Sequence, residues 1–181
     1  TMTYNPLCKF QLKRITPTER DRHFRHVLVW GTVHDQIAAM KGGVSGHAGL
    51  FSNAHDVAKI MQLQLQGGMY GGKQLLNNKT IQQYTAYQSE ESRRGLGWDK
   101  PEKREDEFSP VSRYASHESF GHTGFTGTIA WADPTFDLVF VFLSNRIYPD
   151  MSNKKLNQYN IRTRLQDVVY ESIWNFQKTH N

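Results

Sequence analysis

Residues 119–128 have the sequence SFGHTGFTGT, and the rest of the chain is organised around them. Glycines and other small residues crowd this stretch, although the residues that follow it, IAWA at 129–132, favour a strand. Glycine allows a backbone to approach a ligand closely, while His122 and Thr123 offer donors to an anionic group. The pattern is typical of the inner edge strand of an active site. A strand entered through a glycine-rich bend, with no catalytic role, has the same composition.

The residues after this motif predict an antiparallel hairpin. Residues 126–131 form its first strand, residues 133–136 (DPTF) supply the turn, and residues 138–143 (LVFVFL) form the second strand. The unbroken apolar run indicates that the second strand is buried.

The motif, its hairpin and Ser144-Asn145-Arg146 together resemble the third motif of the serine β-lactamase and penicillin-binding protein superfamily. The similarity is to the branch of class C β-lactamases, D-alanyl-D-alanine carboxypeptidases and related esterases. Residues 31–52 are similar to the segment that these proteins carry upstream of that motif. The resemblance extends over roughly residues 25–150 in order and spacing, so it is far more specific than a single triplet.

This resemblance implies a role for each residue of the motif. His122 and Thr123 take the places of two catalytic residues, His122 as a proton acceptor or cation and Thr123 as a donor to a substrate carboxylate or carbonyl. Gly124, Phe125 and Thr126 are expected to bind substrate. Gly124 leaves room for close approach, and the N–H of Phe125 donates to the oxyanion hole.

The nucleophile of this superfamily is missing from its expected place. The chemistry needs a Ser-x-x-Lys, whose serine forms the acyl-enzyme, and a Tyr-x-Asn or Ser-x-Asn that helps to move the proton. The sequence has no Tyr-x-Asn, and its one Ser-x-x-Lys, at residues 152–155, follows the third motif in a polar stretch. We therefore predict that the chain is the C-terminal part of a serine hydrolase domain and is inactive without the N-terminal half that carries the nucleophile.

The order of elements predicts an α+β fold, in which an antiparallel sheet is flanked by helices, as part of a β-lactamase/transpeptidase-like domain. Residues 1–26 are expected to be an irregular N-terminal segment, and residues 27–181 the C-terminal part of the domain. Hydrophobic spacing predicts strands at 27–30 and 95–98, and a mobile loop is expected at 99–112. Capping residues predict a brief helix after His34 and helices capped by Asn53 and Asn78. A C-terminal helix is expected to pack through Ile161, Leu165, Val168, Val169, Ile173 and Phe176.

Residues 42–49 contain four glycines in eight positions, which predicts a loop. Ser45 and His47 lie in this loop, but no third group that would orient the histidine is evident from the sequence. A structural loop that lines the wall of the site is therefore favoured over His47 as a base.

Composition narrows the remaining classes. With 181 residues, 38% hydrophobic and 22% charged, the chain is an ordinary globular one, and no apolar run predicts a transmembrane segment. The net charge of +5 is not concentrated in one block, so no nucleic-acid partner is expected. Cys8 is the single cysteine and forms no internal disulfide. No cofactor or metal is expected.

The expected partners are a small-molecule or peptidoglycan-like substrate and the missing N-terminal half of the same protein. Half a domain exposes apolar surface, so self-association as a homo-oligomer is also expected. The resemblance implies a bacterial protein that is periplasmic or associated with the cell envelope.

Two other functions stay open at this point. One is a non-catalytic binding or interaction module of the same fold, attached to a glycoside hydrolase. The other is a metal-dependent hydrolase that uses some of His34, Asp35, His47, His117 and His122. The five-residue separation of the last two histidines fits neither one face of a helix nor one face of a strand, which argues against a metal site.

Overall fold

The computed structural model describes residues 1–104 and 106–180. Small antiparallel sheets and flanking helices confirm the predicted α+β class. The strands and helices are, in chain order, β1 (Glu19–Arg20), β2 (Leu28–Val29), α1 (Gln36–Met40), α2 (Ala54–Leu65), β3 (Met69–Tyr70), β4 (Lys73–Gln74), α3 (Asn78–Thr85), β5 (Phe120–Thr123), β6 (Ile129–Asp133), β7 (Leu138–Phe142), α4 (Lys155–Gln158) and α5 (Ile161–His180).

The largest sheet has the order β5-β6-β7, and all of its pairs are antiparallel. Phe120 pairs with Ala132, and Thr123 pairs with Ile129 at the other end of β5. The β6–β7 hairpin turns at 134–137, where Asp137 takes a positive φ of 47°. The predicted hairpin is thus confirmed, with β6 as the buried central strand of the sheet. The prediction that its second strand is buried is wrong, because β7 lies at the edge of the sheet and all of its residues are only partly buried.

Side chains that alternate along β6 build a core on each face of this sheet. On one face, Ala132 packs with Phe120 of β5 and Met61 of α2, and Trp98 and Leu65 surround them. On the other face, the core consists of Ile129, Trp131 and Val111, with Ala115, Phe140 and Phe142 against it. Helix α2 begins after Asn53, whose side chain accepts a hydrogen bond from the Asp56 N–H, as the capping pattern predicted.

The face through which the C-terminal helix α5 packs coincides only in part with the predicted one. Ile161, Val169 and Ile173 are half-buried, as predicted. Gln166 and Tyr170 are its buried residues, whereas Leu165, Val168 and Phe176 are 39%, 60% and 63% exposed. Hydrogen bonds of two side chains explain which face of α5 is buried. Gln166 accepts one from the Ser112 N–H at 2.8 Å, and Tyr170 donates one to Asp133 at 2.7 Å. Polar partners in loops and in the sheet therefore set the rotation of this helix, and apolar side chains are left on its outer surface.

Two further predictions are wrong. Residues 95–98 do not form a strand, because Gly97 takes a positive φ of 79°; the chain pairs with β5 one residue later, through Asp99. The helix predicted to begin after Asn78 is instead capped by Asn77, whose side chain accepts from the Lys79 N–H.

The loop at 99–112 is anchored at both ends, and the mobility that the sequence predicted for it stays a prediction. Asp99, Lys100, Val111 and Ser112 are each 2% exposed. Glu105, in the middle of this loop, lies outside the described residues.

Residues 1–26 contain more structure than their composition predicted. They form short 3-10 turns at Pro6–Cys8 and Leu12–Arg14, and β1 pairs with β2 across residue 26. The division of the domain at that residue stays a prediction. In the described part of the chain, no helix is both long and apolar enough to cross a membrane.

Candidate functional site

Residues 120–123 of the central motif form strand β5, at one side of the three-stranded sheet. Its outer side is covered by Asp99, whose backbone exchanges two hydrogen bonds with Gly121, at 2.8 and 3.0 Å. A side chain at Gly121 would collide with the Ala130 carbonyl and with the Trp131 ring. Glycine is therefore required here for strand pairing.

The strand leads into a tight turn at residues 124–127. The Gly124 N–H donates to the Thr128 carbonyl at 2.8 Å, and the Gly127 N–H donates to the Gly124 carbonyl at 3.0 Å. Gly127 has a φ of 108°, and a Cβ there would lie 2.5 Å from the Ser144 hydroxyl. Close packing and backbone conformation explain this glycine, and they fix where the tip of the turn projects.

His122 is exposed at the end of β5, and both of its ring nitrogens have partners. Nδ1 lies 2.7 Å from the carbonyl oxygen of Thr123. Nε2 lies 3.3 Å from Nη1 of Arg94. A fixed positive charge therefore lies beside this histidine.

Arg94 is held in place by the segment that covers β5. Its Nη1 lies 3.2 Å from Asp99 Oδ2, and the same buried carboxylate accepts from Nε of Arg93 at 2.8 Å. The Arg94 side chain is about half exposed, so its guanidinium is accessible from solvent. The doublet of arginines thus shares one buried carboxylate, with Arg94 directed toward the motif.

Phe125 lies at the tip of the turn, between a histidine and an arginine. Its ring is 57% exposed, stacks on His34 at a centroid distance of 5.5 Å, and lies 4.7 Å from the Arg146 guanidinium carbon. Arg146 also donates through Nε to the Phe125 carbonyl at 2.9 Å, and Arg162 donates to the Thr128 carbonyl at 3.2 Å. Arginine side chains therefore hold one carbonyl in the turn and one directly after it.

Burial, together with the positive charge of Arg146, lowers the pKa of Arg162 from its ordinary value. This direction shows that the two guanidinium groups are close enough to repel each other. The turn therefore lies in a positive electrostatic environment that would attract an anion.

Other polar groups of the motif have no protein partner. Within residues 1–104 and 106–180, the Thr123 hydroxyl, the Thr126 hydroxyl and the Phe125 N–H make no hydrogen bond. These donors follow one another at the end of β5 and in the turn after it, where Arg94 contacts His122 and Arg146 contacts Phe125. They are available to a ligand.

The glycine-rich loop contains a hydrogen-bonded chain that the sequence did not reveal. Ser45 Oγ lies 3.0 Å from Nδ1 of His47, and Nε2 of His47 lies 3.1 Å from Asp35 Oδ1. The expectation that no third group orients this histidine is therefore wrong. The same Asp35 oxygen accepts from the Ala38 N–H at 2.8 Å and so caps α1. The hydrogen bond from the Ala38 N–H is the main reason that the pKa of Asp35 is lowered, and the hydrogen bond from His47 is the second.

This arrangement fits a structural link better than a catalytic one. The side chains of His47 and Asp35 are 53% and 38% exposed, so water competes for both. A nucleophile relay gains from exclusion of water. The chain of hydrogen bonds ties the glycine-rich loop to the start of α1, in agreement with the structural loop that the sequence favoured.

The remaining candidates gain no support from the geometry. Ser152 is exposed, and its N–H donates to the Asp150 carboxylate at 2.9 Å in a turn that precedes the short helix α4. It does not open an apolar helix, so its Ser-x-x-Lys spacing is coincidental. In the part of the chain that the structure describes, no three His, Cys, Asp or Glu side chains converge as metal ligands.

The family model for the beta-lactamases matches residues 11–164. The chain belongs to the beta-lactamase family. The match extends over most of the sequence and includes the glycine-rich loop, the motif on β5 and the β6–β7 hairpin. It confirms the resemblance that the motif and residues 31–52 indicated.

Two curated relatives place this beta-lactamase family chain more closely. "Putative D-alanyl-D-alanine carboxypeptidase" of Salmonella typhi is 41% identical over 166 residues, which cover 85% of this chain and 38% of that protein. The protein of the same name from Salmonella enteritidis PT4 is 40% identical over the same shares. The chain thus spans 38% of the length of these relatives.

A solved structure shows the same family fold. The crystal structure of a beta-lactamase from Mycobacterium bovis matches with a TM-score of 0.54 and 19% identity, over 70% of this chain and 46% of that one. At this identity, the similarity supports the fold alone. It agrees with the predicted partial β-lactamase-like architecture.

Sequence reasoning located the motif but missed the arginines around it. Arg146 was part of the quoted resemblance, yet its contact with Phe125 depends on how the chain returns after β7. Arg94 lies 28 positions before His122 and reaches it only because Asp99 pairs with β5. The only signal in the sequence was the arginine doublet at 93–94, which a charged surface would also explain.

Proposed function

We propose that the protein to which this chain belongs is a serine hydrolase that cleaves amide or ester bonds through an acyl-enzyme. Its proposed substrate class is a cell-wall peptide ending in D-alanyl-D-alanine. The observation that carries the proposal is the end of β5, where the Thr123 hydroxyl and the Phe125 N–H make no hydrogen bond within the described residues. Arg94 contacts the neighbouring His122, and Arg146 contacts Phe125. The names of the curated relatives support the choice of a peptide.

Each residue of the motif has a part in this proposal. Thr123 donates its hydroxyl to the substrate carboxylate or carbonyl, and the Phe125 N–H stabilises the oxyanion that forms during acyl transfer. Gly124 is required by the turn itself, since a Cβ there would collide with the Thr128 hydroxyl, and Thr126 provides a second hydroxyl at the rim. His122 exchanges a proton or hydrogen bond with the reacting groups.

The nucleophile in this proposal belongs to a segment outside the 181 residues. The chain has no Tyr-x-Asn, and its one Ser-x-x-Lys lies in an exposed turn. This chain thus supplies one wall of the site and is inactive alone. The outward apolar side chains of α5, Leu165 and Val168, fit contact with that segment or with a second copy. A cell-envelope location follows from the proposed substrate.

The experiment uses the complete product of the encoding gene and three substrates: a peptide ending in D-alanyl-D-alanine, a chromogenic β-lactam and a p-nitrophenyl ester. We expect the release of D-alanine to be the fastest reaction. Replacing Thr123 by Val should lower its kcat/KM by roughly 10- to 100-fold, because one hydrogen bond to a charged group is lost. Thr135→Val, the same change in the exposed turn at 134–137, is the matched control.

Faster turnover of the β-lactam or the ester would contradict the proposed substrate class. No turnover of any substrate would favour the non-catalytic module of the same fold. Equal rates for Thr123→Val and Thr135→Val would remove the motif from the site.

A further inference from the structure

The two ring nitrogens of His122 lie against partners of opposite hydrogen-bonding character. The Thr123 carbonyl oxygen, 2.7 Å from Nδ1, can only accept. The Arg94 guanidinium, 3.3 Å from Nε2, can only donate. Nδ1 therefore carries a hydrogen and Nε2 carries a lone pair. This is the neutral imidazole in one tautomer, and the imidazolium would place two donors face to face at Nε2.

Arg94 is in a position to impose this state. Its guanidinium is bonded to Asp99, which is 2% exposed and whose backbone pairs with Gly121, the residue next to His122. Asp99 also binds Arg93, so its charge is compensated twice. Strand pairing thus fixes the carboxylate, the carboxylate fixes the arginine, and the arginine meets the histidine ring.

We propose that Arg94 is a positioning residue that fixes the tautomer of the His122 imidazole, with a hydrogen on Nδ1 and the lone pair on Nε2. Of the two roles that the family resemblance left for His122, proton acceptor or cation, this tautomer fits the acceptor, because its lone pair is on Nε2. The catalytic meaning of this assignment rests on the proposed function, whereas the state of the ring does not.

A spectroscopic test can be made on the 181-residue chain itself. Long-range ¹H–¹⁵N correlation spectra of labelled protein, recorded at alkaline pH where imidazoles are neutral, distinguish the two tautomers. We expect His122 to carry its hydrogen on Nδ1. In Arg94→Met the Nε2 resonance should shift toward the position of an unbonded imidazole nitrogen, because its donor is gone. Arg94→Lys, which keeps a donor, should restore part of the shift.

Arg104→Met is the matched control, since Arg104 is an exposed arginine paired with Glu107 and should leave the His122 spectrum unchanged. Arg94 is half exposed, and Asp99 keeps Arg93 when Arg94 is replaced, so the variants should fold. A His122 with its hydrogen on Nε2 in the unmodified chain would overturn the proposal. So would an Arg94→Met spectrum identical to that of the unmodified chain.

The result is independent of the test of function. The expected spectra, together with a complete protein that turns over none of the three substrates, would contradict the proposed function and leave the assignment of Arg94 intact. An active protein whose His122 carries its hydrogen on Nε2 would contradict the assignment alone.

Discussion

The two ends of the β5–β6 pair are built in opposite ways. At one end, Phe120, Ala132 and Asp133 are at most 2% exposed, and the Asp133 carboxylate is fully hydrogen bonded. At the other end, His122 and Phe125 are exposed, and hydroxyls and an N–H have no protein partner within the described residues. One pair of strands thus provides both a rigid anchor and a surface that is left open for a ligand. Stability should depend on the first end and activity on the second.

The largest expected contrast is between two phenylalanines five residues apart. Phe120→Ala should lower the free energy of unfolding by about 3–5 kcal/mol, because the ring fills a core between Met61 and Trp98. Phe125→Ala should cost about 1 kcal/mol or less, since the ring is 57% exposed and loses only its stacking on His34 and Arg146. Urea unfolding of both variants measures the difference. Equal losses would show that the two ends are not distinct.

The next effect concerns the carboxylate of Asp133. It accepts hydrogen bonds from the Ser116 N–H and hydroxyl, the Thr135 N–H and the Tyr170 hydroxyl. Asp133→Ala should therefore cost about 3 kcal/mol, because one buried and three partly buried donors lose their acceptor together. Tyr170→Phe removes one of these bonds and should cost about 1 kcal/mol. Tyr159→Phe, at an exposed site, is the control and should not change the unfolding midpoint.

A pH-dependent effect is expected at Lys100, beside the buried end of β5. Its Nζ donates to the Ser119 carbonyl at 2.9 Å, and burial lowers the pKa of Lys100 from 10.5 to about 8. Between these values the unfolded chain binds more protons than the folded one, so this lysine makes stability rise with pH above about 8. Lys100→Met should remove that rise. The scan ends near pH 9.5, before tyrosines ionise in the unfolded chain.

Lys103→Met is the matched control for this experiment. Lys103, like Lys100, lies 4.7 Å from the Tyr87 ring, but Lys103 is more exposed than Lys100. The Lys103→Met variant should keep the pH dependence of the unmodified chain. An identical slope in Lys100→Met and the unmodified chain would show that Lys100 is not desolvated in the fold.

How well the sequence predicted the structure depends on how far apart along the chain the interacting residues are. The β6–β7 hairpin, the cap of α2 at Asn53 and the motif on β5 depend on neighbouring residues, and their patterns were sufficient. The predicted packing face of α5 was only partly right, because Gln166 and Tyr170 hydrogen bond to polar partners in distant segments. Apolar spacing does not record such partners.

The candidate site shows the same limit. The glycines and hydroxyls of residues 121–127 are contiguous, so the sequence located them. Arg94 comes into position because Asp99 pairs with β5, and Asp35 reaches His47 12 positions away, so no local pattern predicts either contact. The strand predicted at 95–98 does not form because Gly97 takes a positive φ, and the pairing of Asp99 with β5 was not predicted.

The smallest expected effect is at Ser45. Because its hydrogen bond to His47 is exposed, Ser45→Ala should change the free energy of unfolding by no more than about 0.5 kcal/mol. The complete gene product with Ser45→Ala should release D-alanine at a rate within twofold of that of the unmodified protein. A large loss of activity with unchanged stability would instead make the Ser45–His47–Asp35 chain catalytic.

The proposal that the nucleophile lies outside these 181 residues is tested most directly by intact-mass labelling with a fluorophosphonate or a penicillin-type probe, applied to this chain and to the complete gene product. We expect one covalent adduct on the complete product and none on the 181-residue chain, because the end of β5 supplies donors and no nucleophile. An adduct on the 181-residue chain, mapped to Ser45 or Ser152, would contradict it.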